Sequence, residues 1–262
     1  MYHTGKIIRK SMASPTVMVL DLHVPNFSFL PGQWVDFMVP PYQWVGGFSI
    51  ASSPRDVPLV RLAIKRSDHA PAKWVHDHSK VHETVQVSVG GTSVLEKDDD
   101  DAINRRPSVF CAGGIGISPV LSQYREFLHQ RATAPLGTGN DDNMEPRKTL
   151  FLYSVSTPDE LVFAEELAEL SRPGSAFGHD RMVFTVTQST ISWNQSMSYD
   201  QGIATATHIE RRRGRQLIEI LEEAPANALY YICGPPSMID EAVQHLERKG
   251  IPSDNIKFEK WW

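Results

Sequence analysis

The sequence predicts an antiparallel Greek-key β-barrel followed by a parallel-sheet α/β domain. Three observations carry this expectation. As far as Leu95 the chain offers short apolar runs separated by Pro and Gly; beyond Pro107 strand-like runs alternate with helical ones; and an acidic run, Asp98-Asp99-Asp100-Asp101, lies between the two regimes. Short strands punctuated by turns favour a closed β architecture. Strand–helix alternation favours a parallel sheet covered on both faces. The acidic run and Asn104-Arg105-Arg106-Pro107 read as a solvated linker, which gives domains of residues 1–102 and 103–262.

In order along the first region, the chain enters a strand almost at its start. Val17-Met18-Val19-Leu20-Asp21-Leu22-His23-Val24 is nearly continuous apolar strand, Leu59-Val60-Arg61-Leu62-Ala63-Ile64-Lys65 has the same character, and Val85-Gln86-Val87-Ser88-Val89 alternates. Pro31-Gly32, Pro40-Pro41, Gly46-Gly47 and Gly90-Gly91 read as separators. One short helix is expected over 71–77. In the second region strands are expected over 109–112, 149–153, 182–186 and 229–233, with helices over 119–130, 160–170 and 237–248. Residues 132–146, rich in Gly, Asn, Asp and Pro, read as a surface loop.

Bulk properties set limits. The chain has 262 residues, 41% hydrophobic and 22% charged, which is a folded composition with room for two domains. A formal net charge of -5 gives no basic surplus for nucleic acid or an anionic membrane. No apolar run reaches the ~18 residues of a transmembrane helix. The two cysteines, Cys111 and Cys233, exclude a disulfide framework and a Cys-ligated iron–sulfur cluster, which takes about four. His69, His76, His78 and His82 cluster without cysteine or paired carboxylates, so no metal site is expected.

Four segments carry chemistry. Ala112-Gly113-Gly114-Ile115-Gly116-Ile117-Ser118-Pro119 ends a strand and opens a helix; glycines there permit a sharp turn and close approach of a diphosphate to free helix N–H groups. Cys233-Gly234-Pro235-Pro236-Ser237-Met238 ends a second strand of the same sheet, where ligands of open parallel sheets collect. Gly47-Phe48-Ser49-Ile50-Ala51-Ser52 alternates apolar groups with hydroxyls, a lining for a planar ligand with a polar edge. Lys257-Phe258-Glu259-Lys260-Trp261-Trp262 ends in two indoles, which stack on flat aromatic ligands or pack in a core or interface.

Read together, these segments resemble the ferredoxin-NADP reductase superfamily over essentially the whole chain, and Pro31-Gly32-Gln33 fits as the turn before a barrel strand. Gly46-Gly47-Phe48-Ser49, Trp74-Val75-His76, the Cys233 loop and the Trp262 ending look closest to the oxidoreductase NAD-binding domain-containing protein 1 group. The resemblance implies a flavoprotein that takes hydride from NADH or NADPH onto FAD, with FMN the other flavin, the two rings stacking ~3–3.5 Å apart. Phe48 would flank the flavin, Ser49 would hydrogen-bond near its N5, and Ile50, Ala51, Ser52 and Lys65 would complete the flavin side. Gly113, Gly114, Gly116, Ser118 and Pro119 would cradle the dinucleotide, with Gly234, Pro235 and Met238 beside it. Cys233 would lie by the nicotinamide C4, Glu259 would orient the site, and Trp261 would stack on the flavin until nicotinamide displaces it. Trp262 either caps that stack or packs on an adenine.

Two departures fall on the flavin side. The usual Arg two residues before the aromatic is Gly46, and the usual Gly-x-x-Ser is His69-Ala70-Pro71-Ala72-Lys73. Lys65, Arg66, Lys73 or His76 would then replace these phosphate grips, or flavin exchanges as a substrate. Thr187-Gln188-Ser189-Thr190 offers no Arg to a 2′-phosphate, which favours NADH; Arg211-Arg212-Arg213 reads as solvated surface at a helix start. The electron acceptor must be another molecule, protein or small. The remaining readings are a free-flavin reductase and a non-catalytic nucleotide-binding scaffold. The group resemblance implies a mitochondrial location, whereas the absence of a transit peptide implies a cytoplasmic one unless such a segment was removed.

Overall fold

The computed structural model describes residues 1–95, 106–133, 149–171, 180–188, 209–214 and 216–260. The first sheet holds β1 (His3–Ser14), β2 (Val17–His23), β3 (Trp34–Val39), β4 (Trp44–Ser49), β5 (Leu59–Lys65) and β6 (Thr84–Gly90), in the order β4-β3-β6-β1-β2-β5 and antiparallel throughout. Period two is plain in β3, where Val35, Phe37 and Val39 are buried and Trp34, Asp36 and Met38 are half-buried. The two edge strands then meet. Ile50 bridges Leu62, the Ala51 N–H donates to the Arg61 carbonyl at 2.8 Å, and the Arg61 N–H donates to Ser52 Oγ at 3.0 Å. This contact removes part of the open edge that an unpaired β4 would present. Helix α1 (Ala70–Asp77) closes one end by burying Ala72, Trp74 and Val75 against Phe37 and its neighbours.

The second sheet holds β7 (Ser108–Gly113), β8 (Thr149–Val155), β9 (Arg181–Val186), β10 (Ile209–Arg213), β11 (Leu229–Gly234) and β12 (Ile256–Lys260), all parallel, in the order β10-β9-β8-β7-β11-β12. Among the described residues its helices are α2 (Ile117–Thr133), α3 (Ala164–Leu170), α4 (Leu217–Glu222) and α5 (Pro236–Arg248). Every residue of β7 is buried, Phe110 and Ala112 in one layer of core and Val109 and Cys111 in the other. That is what a central strand covered on both faces requires. Strand order reverses between β7 and β11, so the loops after these two strands flank a topological switch point, where open α/β sheets bind ligands.

Two expectations change. Gly46-Gly47 lies inside β4 rather than separating strands, and Arg211-Arg212-Arg213 belongs to β10 rather than to a helix start. The triplet forms a strand because Arg181 and Arg212 share Glu210 and Glu223, which neutralises the positive charge along this sheet edge. Most of the linker and of the 132–146 loop lies outside the described residues, as does the 102/103 boundary.

Side chains join the two sheets. Arg55 grips Glu126 of α2 through two hydrogen bonds of 3.0 and 2.9 Å, Ser122 Oγ donates to the Ser52 carbonyl at 2.7 Å, and Gln123 donates to the Ser93 carbonyl at 3.1 Å. Helix α2 is thus fixed to the barrel along the face that carries Ser122, Gln123 and Glu126. Its N-terminus is held at the gap between the sheets.

Candidate functional site

A cleft of about 710 Å³ opens between the barrel and the carboxyl ends of β7 and β11. From the barrel come Phe48 and Ser49 at the end of β4, and Ala63, Lys65 and Arg66 at the end of β5. Phe48 holds its place because its ring meets Phe37 edge-on at 5.5 Å. From the α/β side come Gly113, Gly114, Ile115, Gly116 and Ser118 from the end of β7 onward, and Cys233, Gly234 and Pro235 from the end of β11 onward.

The glycine turn has two distinct requirements. Gly114 has φ 52° and open space where a side chain would begin, so its backbone is bared to the cleft. At Gly116 a Cβ would fall onto the Cys233 carbonyl and 2.7 Å from the Gly234 nitrogen, so the two loops touch backbone to backbone. Ser118, in the first turn of α2, has a buried Oγ without a hydrogen-bond partner among the described residues, and it lines the cleft. A buried hydroxyl without a partner is uncommon and calls for a ligand or water. Bared backbone, a helix N-terminus and this hydroxyl fit the diphosphate of a dinucleotide.

Cys233 is 3% exposed, and burial pushes its thiol up to about 12, aided by the nearby Glu259 charge. It therefore stays a neutral thiol across physiological pH. Glu259 stands in register with Cys233 on the adjacent strand β12, and burial pushes its carboxyl up to about 7 although the Trp34 indole N–H donates to it. Glu259 does not itself line the cleft, but strand pairing sets beside Cys233 a carboxyl that changes charge near neutrality.

Not every expected residue reaches the cleft. Ile50 and Ala51 are fully buried, and Ser52 is committed elsewhere, its Oγ accepting from the Arg61 N–H at the barrel closure and its carbonyl from Ser122 of α2. Pro119 is buried in α2, and Met238 packs beneath Gly113 and Gly234. Trp261 and Trp262 lie outside the described residues. Among the expected phosphate grips, Lys65 pairs with Glu160 at 3.4 Å and Arg66 with Asp77 at 2.7 Å. His76 is buried, with Nε2 against the Ile64 carbonyl at 2.9 Å. Among the described residues no three His, Cys, Asp or Glu side chains converge as metal ligands, and no helix is long and apolar enough to cross a membrane.

Two participants escape the sequence reading. His69 lines the cleft, and a Cβ at Gly46 would stand 2.8 Å from its Cε1. Trp34 reaches Glu259 from the barrel. The pairing of a small residue at 46 with a large one at 69 was a visible signal for the first. Nothing local announces the second, because β3 and β12 are joined only by the tertiary fold.

Comparison with known proteins gives the same picture. The profile of the oxidoreductase NAD-binding domain matches residues 110–244. An oxidoreductase NAD-binding domain-containing protein 1 from Bos taurus is 34% identical over 268 residues, covering 98% of this chain and 80% of the relative. Among solved structures, a cytochrome P450 reductase of Amycolatopsis superposes with a TM-score of 0.77 at 18% identity, over 99% of this chain and 69% of that one. The flavohem-like FAD/NAD-binding domain of a Vibrio cholerae nitric oxide dioxygenase gives 0.73 at 17%, over 99% and 98%. At these identities the structural likeness concerns the fold.

Proposed function

The chain belongs to the oxidoreductase NAD-binding family, in the oxidoreductase NAD-binding domain-containing protein 1 group, and from that membership we propose that it is an NADH-dependent flavin oxidoreductase of the ferredoxin reductase-like kind. Residues 1–102 form the flavin-binding barrel and residues 103–262 the nicotinamide-binding domain, and electrons leave for a separate acceptor molecule. The observation that carries this reading is the convergence on one cleft of Phe48 and Ser49 from β4 with the loops that follow β7 and β11.

When bound, nicotinamide supplies a hydride and flavin accepts it, so the redox chemistry belongs to the cofactors. The chain supplies placement. Phe48, buttressed by Phe37, offers an apolar wall, and Ser49 offers a hydroxyl at its edge. The Gly113-to-Gly116 turn and Ser118 offer donors to a diphosphate. Cys233 presents a small neutral surface, and Glu259 holds or releases a proton near neutral pH. The preference for NADH rests on Thr187 and Gln188, uncharged residues after β9. A preference of about tenfold or more for NADPH would instead assign Arg213, in register with Val186 at the carboxyl end of β10, to the 2′-phosphate.

A second reading is favoured by the grips. With Gly46 lacking a side chain and Lys65 and Arg66 already paired, flavin exchanges as a substrate rather than remaining bound. Turnover of NADH with ferricyanide in the presence of FAD or FMN tests the proposal. Turnover supports it, and its absence with both flavins favours the scaffold. Retention of flavin through gel filtration separates bound cofactor from substrate.

A further inference from the structure

Trp34 opens β3 and stands in register with Ser49 of β4 on one side and Gly90 of β6 on the other. Its indole lies over the glycine pair that ends β6. A Cβ at Gly90 would be 2.8 Å from Trp34 Cη2 and Cζ2, and one at Gly91, where φ is 99°, would be 2.9 Å from Nε1. Any side chain at either position would displace the ring, so the two glycines fix where the indole N–H points. The same Cβ position at Gly91 lies 3.5 Å from Glu259 Oε1, and the indole N–H donates to that carboxyl. Glu259 in turn is in register with Cys233. Ser49, Trp34, Glu259 and Cys233 therefore form one continuous row across the junction of barrel and α/β domain.

We propose that Trp34 is a positioning residue: its indole N–H pins Glu259 from the barrel, so that Oε2 is the one carboxyl oxygen left to carry a proton or to accept a ligand hydrogen bond. An indole donates and cannot accept, so it is compatible with either charge state of Glu259 but holds the ionised form more strongly. Oε2 is buried and has no hydrogen-bond partner among the described residues, which is the expected state of an oxygen kept for a proton or a ligand. The neighbouring groups leave the assignment clear. Cys233 on β11 is a neutral thiol with Cys111 of β7 beyond it, Lys260 on β12 is bound to Asp240 of α5, and from the barrel come the Trp34 indole and the uncharged Gly90 and Gly91. The role in turnover rests on the proposed function, whereas the pinning of Glu259 rests on the packing of the indole and the carboxyl against Gly91 and on the bond between them.

Indole 15N–1H spectra of the full chain, without added nucleotide, test the pinning. Six tryptophans are present, so the Trp34 signal is assigned by its loss in Trp34→Phe, which keeps an aromatic ring over the glycines. The wild-type signal is expected to move with pH with a midpoint near 7 and to stop moving in Glu259→Gln. A signal that does not titrate, or that titrates unchanged in Glu259→Gln, overturns the proposal. In ferricyanide turnover, Trp34→Phe is expected to raise the Glu259-dependent midpoint of the pH profile by about one unit, because a donor to the ionised form is lost. An unmoved midpoint overturns the positioning role. Wild-type protein without NADH turnover would sink the proposed function, and the spectra would still decide the bond between Trp34 and Glu259.

Discussion

At Gly46 the chain forgoes a side chain, and His69 fills the space. With His69 Cε1 2.8 Å and Pro71 Cβ 3.2 Å from where a Cβ would begin, Gly46→Arg cannot restore a phosphate-gripping arginine without displacing the start of α1. It is expected to destabilise the fold by about 1–3 kcal/mol without tightening flavin, measured by urea unfolding and flavin fluorescence quenching. Tighter flavin at unchanged stability would show that His69 moves freely. Glu259 gives a second prediction. Its carboxyl titrates near 7 in the folded chain and near 4.5 when unfolded, so between these values the folded state binds the extra proton. Its contribution to stability is therefore lost as pH rises through that window and is constant above it. Glu259→Gln lacks this titration, and its melting temperature should gain on the wild type from pH 4.5 to 7. Parallel melting curves would contradict the assignment. Phe48, Ser49, Gly113, Gly114, Gly116, Ser118 and Cys233 were legible as cleft residues because each sits in a contiguous motif at a strand end. Trp34 was not, since its partner lies far along the chain and Gly90-Gly91 reads locally as a mere turn.

The elements were read best where burial dominates. Strands β2, β8 and β11 are almost wholly buried, and their sequences are correspondingly apolar. Strand β1 hid its length because few of its residues are buried and it carries two register shifts, which break the alternation. Strand β4 hid because its glycines mimic a turn; one faces His69, and the strand is held by its antiparallel pairing to β3 rather than by propensity. The β7–α2 turn supports a test of its own. Gly116→Ala would drive a methyl into the Cys233 carbonyl and is expected to cost about 2–3 kcal/mol together with NADH binding. Gly114→Ala meets no atom of the protein and costs the fold only the left-handed backbone, about 1 kcal/mol, although its methyl enters the cleft and weakens NADH binding as well. Denaturant unfolding and NADH titration of the two variants check this; equal losses of stability would mean that the loops do not meet as described.

For the whole molecule, the cleft exists because α2 is fastened to the barrel. Glu126, Ser122 and Gln123 tie the helix to Arg55, Ser52 and Ser93, which sets its N-terminus opposite β4. This junction was not legible in sequence, because it is built from ordinary polar residues whose pairing depends on the docking of two complete sheets. The two-domain order, in contrast, was legible from the change in periodicity alone. That the cleft joins a flavin to a nicotinamide is tested by the visible absorbance spectrum of the purified chain, before and after anaerobic NADH. Flavin bands, present at once or after adding FAD or FMN, are expected to bleach with NADH. A chain that remains colourless and inert with both flavins would contradict that assignment.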